Sequence, residues 1–209
     1  MTKVNLSNFD LVHGTQTIYR KLLDSMARPG KIQNIHSSIE MLNTPYHFPR
    51  ALEAIALTLV DQEVSFAING DCSSDITQYL QWKTFGKAAP ITEADFIFIN
   101  KPKEEEELTR LMKSVKVGTL EDPHLSATII VFVEKIFTDS FSSGMTLLLR
   151  GPGIAEEIKV CVDGFSQHWI NERRKVNQEY PLGIDMVLVS ETGEMLGIPR
   201  TTLIEGEGL

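Results

Sequence analysis

The order of helical and strand-like segments along the chain is the feature that most constrains its fold. Apolar residues at helical spacing alternate with short apolar runs in the first half, whereas strand-length runs follow one another in the second half. The predicted helices are 15–26, 50–60, 75–85, 103–115 and 167–176. The predicted strands are 64–68, 96–99, 128–133, 145–149, 158–162, 184–189 and 194–199. This pattern indicates an α/β sandwich with a mixed sheet.

Local signals mark the ends of several of these segments. Pro29-Gly30 follows the first helix, because proline cannot continue a helical ladder and glycine tolerates the reversal. Ser74 and Ser166 each stand directly before a helical segment and are of the residue type that caps helix N-termini. The turn at 191–193 predicts a hairpin between the last two strands. No repeat or linker interrupts the sequence, so we expect a single domain over residues 1–209.

The chain is acidic overall but basic in its N-terminal quarter. It has 20 Lys and Arg against 28 Asp and Glu, a net charge of −8, which argues against non-specific nucleic-acid binding. The first 50 residues carry six basic and three acidic side chains, a net +3, and the other 159 carry a net −11. The basic excess is either a fluctuation on solvated faces or a surface for an anion or an acidic partner.

Hydropathy and cysteine usage predict a cytoplasmic protein. Mean hydropathy is −0.07 and hydrophobic residues make up 42% of the chain, as in ordinary globular proteins. No window approaches the ~18 apolar residues of a membrane span, and residues 1–10 lack the pattern of a signal peptide. Cys72 and Cys161 are far apart and form neither a disulfide framework nor a paired metal spacing.

Common phosphate, cofactor and catalytic motifs are missing from the sequence. The chain has no Gly-x-x-x-x-Gly-Lys loop, no Gly-x-Gly-x-x-Gly fingerprint, no Gly-x-Ser-x-Gly elbow and no His-Glu-x-x-His zinc helix. The four glutamates at 104–107 would point in different directions on a helix, which favours a solvated face over a metal site. We therefore predict no metal site, and the residues alone identify no catalytic group.

Several short segments of the chain resemble a known family. They are Leu-Asp-Ser-Met-Ala-Arg-Pro-Gly at 23–30, Gly-Thr-Leu-Glu-Asp-Pro at 118–123, Leu-Leu-Leu-Arg-Gly-Pro-Gly-Ile at 147–154, and Tyr-Pro-Leu-Gly-Ile-Asp at 180–185 with Ile-Pro-Arg-Thr-Thr at 198–202. Their content, order and spacing resemble the PhnH family of the phosphonate carbon–phosphorus lyase complex, over almost the whole chain. Tyr19 departs from the family pattern, which has phenylalanine there.

That resemblance implies a fold, partners and a reaction. The fold would be a three-layer α/β/α-type sandwich with a mixed sheet, similar to the large domain of pyridoxal-phosphate-dependent transferases but without the cofactor. The chain would form a homodimer and join the G, I and J subunits in a core complex, with an accessory ATPase-like protein. In organic phosphonate catabolism under phosphate starvation, this system converts ATP and an alkylphosphonate into ribose 1-alkylphosphonate 5-triphosphate and adenine. The J component then cleaves the carbon–phosphorus bond.

Three arginines, their small neighbours and one acid are the candidate substrate, anion or interface residues, because a guanidinium suits phosphate and phosphonate oxygens. They are Arg28, Gly30, Arg150, Gly151, Gly153, Asp185, Arg200, Thr201 and Thr202. Each also has a structural explanation. Arg28 could cap its helix, the glycines at 151 and 153 could form only a turn, and Arg200 could pair with Asp185 across the hairpin.

Three functions stay open at this point. The chain could be a complex subunit that helps to shape a phosphate-rich site, a scaffold subunit without substrate contact, or an independent small-molecule transferase with an anion site. The lack of a nucleophile and base at a recognisable spacing counts against the third. We expect no activity of the chain alone.

Overall fold

A seven-stranded sheet lies at the centre of the fold, in a computed structural model that describes residues 11–40, 42, 44, 46–100, 104–138 and 144–207. The α-helices are α1 (Leu11–Ala27), α2 (His36–Ile39), α3 (Arg50–Leu59), α4 (Ser73–Thr84), α5 (Glu105–Ser114) and α6 (Gln167–Val176). The strands of the central sheet are β1 (Gln33–Asn34), β2 (Ser65–Asn69), β3 (Lys87–Ala88), β4 (Phe96–Ile99), β5 (Thr128–Val133), β9 (Asp185–Ser190) and β10 (Glu194–Ile198). A second sheet contains β6 (Lys135–Phe137), β7 (Met145–Arg150), β8 (Ile158–Asp163) and β11 (Leu203–Glu207).

The central sheet is mixed, as the sequence predicts. Its strand order is β1-β10-β9-β5-β4-β2-β3. The strands from β9 to β3 in this order run parallel, and β10 and β1 are added antiparallel at one edge. Parallel strands are covered on both faces, which is why β4 and β5 are nearly continuous apolar runs in the sequence.

Side chains of successive strand residues enter two different cores. Phe98 packs with α1, α2, α3 and α4 on one face of the sheet, whereas Ile97 and Ile99 pack with α5, α6 and the second sheet on the other. This alternation follows from the two-residue period of a strand. The central sheet therefore lies between two helical layers, and the second sheet shares the core of α5 and α6.

The second sheet is a feature that the sequence-based prediction lacked. The sequence predicts strands at 145–149 and 158–162 without assigning their partners. In the structure β7 and β8 pair antiparallel with each other, with β6 beside β8 and β11 beside β7. A strand pattern gives residue alternation and length but not the pairing partner. The partner β11 follows β10 directly, so the chain crosses from the central sheet to the second sheet between Ile198 and Leu203.

Most other predicted elements are confirmed within a few residues, but one predicted cap is wrong. The helix that Ser74 was expected to cap begins at Ser73, and its N-cap position is Cys72, whose left-handed backbone (φ 54°) makes no side-chain capping bond. At the other end of that helix, Phe85 is the C-cap residue and is 70% exposed. The predicted start of α5 at residue 103 lies outside the described residues.

Helix α1 contacts the central sheet across β10. Ile18 and Leu22 are buried against it, while Tyr19 and Leu23, which also follow the apolar spacing, are about half exposed. At Gly197, a Cβ atom would lie 2.7 Å from the carbonyl carbon and oxygen of Ser25. The absence of a side chain at Gly197 is therefore what allows the backbone of α1 to approach this strand so closely.

No α-helix in the described part of the chain combines the length and apolar character that a membrane crossing requires.

Candidate functional site

Three turns that the sequence singles out lie next to one another in the fold. A Cβ at Gly153 would lie 2.8 Å from the carbonyl oxygen of Ala27 and 3.0 Å from Pro29, so the 151–153 turn packs on the end of α1. A Cβ at Gly151 would lie 2.9 Å from the carbonyl oxygen of Thr201. The segments 27–30, 150–153 and 199–202 thus form one contiguous surface, although they are far apart in sequence.

Arg28 lies on the exposed part of this surface. Its guanidinium is 3.0 Å from the carboxylate of Asp24, one helical turn earlier, and its side chain is 62% exposed. Asp24 also accepts a hydrogen bond from Lys31 at 2.8 Å, and this bond, with the nearby charges of Arg28 and Lys31, holds the pKa of Asp24 below its ordinary value. Arg28 therefore belongs to a small surface ion-pair cluster, and its remaining donors face solvent.

Arg150 is paired with two glutamates. Its guanidinium lies 2.6 Å from Glu157 and 3.7 Å from Glu205. The hydrogen bond to Glu157 is the main reason why the pKa of Arg150 is raised. Because two carboxylates already compensate its charge, Arg150 is a poor donor for a further anion.

Arg200 is the most highly connected of the candidate arginines. Its Nη2 lies 2.7 Å from Asp185 Oδ2 and also contacts the hydroxyl of Ser126. Its Nη1 donates to the carbonyl oxygens of Pro123 at 2.8 Å and Pro181 at 3.3 Å. The structure thus places Asp185 as the partner that orients Arg200, which is the structural alternative that the sequence left open.

Two cavities lie on either side of the 199–202 segment. The cavity on one side has a volume of about 340 Å³ and is lined by Tyr180, Pro181, Asp185, Arg200 and Thr201, among others. The cavity on the other side has a volume of about 240 Å³ and extends between α6 and β11. Thr202 lines this second cavity, so Thr201 and Thr202 face different spaces although they are adjacent in the chain.

The cavity between α6 and β11 contains two arginines that sequence reasoning missed. Arg173 is 4% exposed, and its guanidinium donates to the carbonyl oxygens of Thr202 at 3.0 Å and Pro199 at 2.6 Å. Arg174 is exposed and donates to the carbonyl oxygen of Ile204 at 3.1 Å. Burial lowers the pKa of Arg173 to about 10, and the charge of Asp185 opposes this only in part.

A signal for Arg173 is present in the sequence. The buried positions Trp169 and Ile170 define the apolar stripe of α6, and residue 173 follows them at helical spacing, on the side that must be covered. An arginine on the buried stripe of a helix is unusual, because a buried charge needs compensation. Within the basic triplet at 173–175, the helical spacing therefore indicates that Arg173 is buried and needs a partner.

Comparison with known proteins places the chain in a family. A family model described as bacterial phosphonate metabolism protein (PhnH) matches residues 8–205. The chain belongs to the PhnH family. This match covers the three turns, both cavities and α6, so the site described above lies within the PhnH region.

Two curated relatives are similar to this PhnH-family chain over most of its length. One is named putative C-P lyase subunit protein HtxG from Stutzerimonas stutzeri, 30% identical over 197 residues, which covers 92% of this chain and 87% of the relative. The other is named alpha-D-ribose 1-methylphosphonate 5-triphosphate synthase subunit PhnH from Rhizobium meliloti (strain 1021), 29% identical over 206 residues, 95% of this chain and 94% of the relative. Both names describe subunits of larger assemblies.

The described part of the PhnH-family chain offers no clustered metal ligands. Within the residues that the structure describes, no group of three or more His, Cys, Asp or Glu side chains could hold a metal ion. The hydrogen-bond donors of the site are instead guanidinium groups and a threonine hydroxyl, which bind oxyanions rather than cations.

Proposed function

We propose that this chain is a subunit of a carbon–phosphorus lyase complex and acts in the synthesis of ribose 1-alkylphosphonate 5-triphosphate from ATP and an alkylphosphonate. The observation that carries this proposal is similarity along nearly the whole chain to two proteins named as subunits of that system. In the reaction, a phosphonate oxygen bonds to the ribose carbon that bears the base. The bond from that carbon to the adenine nitrogen breaks, and the departing adenine takes up a proton.

The proposed partners are a second copy of this chain, the G, I and J subunits of the complex, and an accessory ATPase-like protein, in the cytoplasm. This chain and the G and I components would support the ribose transfer together, so the chain would have no activity by itself. The exposed cluster at the end of α1 is suited to such contacts, since Arg28 is 62% exposed and lies beside the turn at Gly153. Arginine is enriched at protein interfaces for its planar, multi-donor head.

Co-purification tests this proposal directly. The chain is expressed with a tag together with the proteins encoded beside it, and the affinity-purified material is analysed by size exclusion and mass spectrometry. We expect stoichiometric recovery of at least one partner subunit. Elution of the tagged chain alone, under conditions where the other subunits are present and folded, would contradict the proposal.

A second experiment separates substrate contact from scaffolding. Arg28→Ala removes an exposed guanidinium, and Arg110→Ala on α5 removes another exposed arginine as a matched control. If the α1 turn contributes to function, the Arg28→Ala variant loses growth on methylphosphonate as sole phosphorus source while the control grows normally. Recovery of the complex from the same cells then distinguishes failure of assembly from failure of chemistry.

We also propose that the fold is related to the large domain of pyridoxal-phosphate-dependent transferases and that the chain works without that cofactor. Such enzymes hold pyridoxal phosphate through a lysine Schiff base, a partner for the ring nitrogen and an anion cradle. Support for the fold relationship comes from the central mixed sheet with helices on both faces. An absorption band of an internal aldimine in the purified protein would overturn the cofactor-free part of this proposal.

A further inference from the structure

The cavity between α6 and β11 contains a buried arginine without a carboxylate partner among the described residues. Two of the five N–H donors of Arg173 are used by the carbonyl oxygens of Thr202 and Pro199. Its Nε–H group is buried and has no acceptor. Its side chain thus ties α6 to the 199–202 segment but leaves its positive charge without a counter-ion in direct contact.

A second unpartnered polar group lies in the same wall. Thr202 is 1% exposed, and its hydroxyl has no hydrogen-bond partner. Buried hydroxyls are normally paired, because an unpaired one loses the hydrogen bonds that water would give it. The hydroxyl oxygen itself is buried, so donation to a ligand in the cavity that Thr202 lines requires a rotation of the side chain, which breaks no existing hydrogen bond.

Positive side chains outnumber negative ones around the cavity. Arg173, Arg174 and Arg200 all line it. The nearest acids are already engaged, since Asp185 pairs with Arg200 at 2.7 Å and Glu205, at the rim, lies 3.7 Å from Arg150. A buried arginine charge that Asp185 compensates only in part, without direct contact, favours an anion in the adjacent space.

We propose that this cavity binds a small tetrahedral phosphoryl anion, either inorganic phosphate or an alkylphosphonate. Arg174 and Arg173 would supply the charge, and the Thr202 hydroxyl would donate a hydrogen bond to an anion oxygen. The volume of about 240 Å³ corresponds to about eight water molecules and lies below the size of sites for drug-sized ligands. The site is formed within one chain, and it is independent of whether the chain assembles with partners.

Titration of the purified full-length chain tests the site. Inorganic phosphate and methylphosphonate are titrated separately by isothermal calorimetry at constant ionic strength, with chloride as the background anion. We expect saturable binding of inorganic phosphate, of methylphosphonate, or of both. Comparison of the two dissociation constants identifies which anion is preferred. Absence of saturable heat in both arms overturns the proposal, while the co-purification experiment remains a separate test of the subunit function.

Matched variants locate the binding on this cavity. Arg174→Gln should raise the dissociation constant about tenfold or more, because a charge-assisted hydrogen bond is lost. Arg110→Gln removes the same charge from the exposed surface of α5 and should leave the affinity unchanged. Equal affinity in the Arg174→Gln variant and the unmodified chain, or equal weakening in both variants, would show that the anion does not bind here.

Thr202→Val separates ligand binding from structural support. Valine has nearly the same shape, and the hydroxyl that it removes has no partner, so the melting temperature without ligand should stay constant or rise. Affinity for the anion should fall in the same variant. If the hydroxyl has no role toward an anion, the affinity stays at the value of the unmodified chain, which would contradict its place in the site.

Discussion

Glu53 illustrates how single side chains set the pH behaviour of this protein. It is 1% exposed on α3, and one carboxylate oxygen accepts a hydrogen bond from the Tyr79 hydroxyl at 2.5 Å, while the other has no partner. Burial raises the pKa of Glu53, and the bond from Tyr79 and the charge of Lys83 only partly oppose it. Burial also raises the pKa of Tyr79, and its hydrogen bond to Glu53 raises it further.

The raised pKa of Glu53 predicts a loss of stability as the pH rises from the acidic range toward neutral. A carboxyl with a raised pKa in the folded state binds its proton more tightly there than in the unfolded chain, whose value is near 4.5. The stability that protonated Glu53 contributes is fully present below pH 4.5 and is lost as the pH rises through the folded-state pKa. We expect Glu53→Gln to flatten this slope in the free energy of unfolding, measured in urea at several values of pH between the acidic and neutral ranges. A slope as steep as in the unmodified chain would contradict this assignment.

For Asp95 we predict the opposite pH dependence of stability. Burial pushes the pKa of Asp95 upward, but hydrogen bonds from Lys116 and from the backbone and hydroxyl of Ser65 outweigh it and hold the pKa below the usual value. The stability that it contributes is present above pH 3.8 and is lost as pH falls through its folded-state pKa.

Replacing Asp95 gives a matched comparison with Glu53. We expect Asp95→Asn to reduce the free energy of unfolding at neutral pH by about 1 kcal/mol, since hydrogen bonds to a charged acceptor are weakened. The difference from the unmodified chain should shrink as the pH falls below the ordinary pKa of an aspartate. A difference that grows on acidification would mean that Asp95 is not ionised in the folded protein at neutral pH.

At the scale of elements, the contact between α1 and β10 depends on one missing side chain. Gly197 lets the backbone of α1 approach at Ser25, whose own side chain is buried and bonded to the carbonyl oxygen of Leu22 at 2.9 Å. The atoms that would meet a Cβ at Gly197 belong to backbone and cannot rotate away. The same helix carries Arg28 and the turn at Gly30, so its position also fixes one side of the candidate surface.

Gly197→Ala tests this contact. A methyl group within 2.7 Å of helix backbone forces α1 or β10 to shift, and we expect the free energy of unfolding to fall by about 1–3 kcal/mol. Gly14→Ala, within α1 itself, makes the same chemical change in a helix, where alanine is favoured by about 1 kcal/mol. The two variants should therefore change the urea midpoint in opposite directions. Equal midpoints would show that the α1–β10 packing adjusts without cost.

At the scale of the whole molecule, Arg200 connects parts of the chain that no single element joins. It sits in the crossover from β10 in the central sheet to β11 in the second sheet. From there it contacts Asp185 at the start of β9, Pro123 and Ser126 before β5, and Pro181. It therefore holds the crossover against the N-terminal ends of β9 and β5 in the central sheet and lies between the two cavities.

Removing this connection should destabilise the whole fold. Deleting one partner of a buried pair costs about 3–5 kcal/mol. The side chains of Arg200 and Asp185 are 15% and 22% exposed, so the cost here should be lower, about 2–4 kcal/mol. We expect Arg200→Ala to reduce the free energy of unfolding by that amount. Asp185→Asn combined with Arg200→Ala in a double-mutant cycle should show a coupling energy of about 1–2 kcal/mol. Additive effects would mean that the carbonyl contacts, and not Asp185, hold Arg200 in place.

Much of the element order could be predicted from sequence, and less of the candidate site. The alternation of helices and strands, the final hairpin and the mixed character of the central sheet follow from local periodicity, and β4 and β5 match their predicted bounds. Local sequence also indicates the separate turns at Gly30, Gly151 and Gly153. Their contact with one another, and the engagement of Arg200 by Asp185, depend on segments that are distant in the chain.

Local patterns were sufficient for the order and type of most elements and for the family resemblance, because periodicity, turn residues and motif content are properties of short segments. Three other features emerge from the folded chain: β7 and β8 form a second sheet, Glu157 neutralises Arg150, and Arg173 is buried with its Nε–H group unpaired. These outcomes depend on which surfaces meet in space. Pairing, burial and the compensation of charge are properties of such contacts, and linear spacing does not carry them.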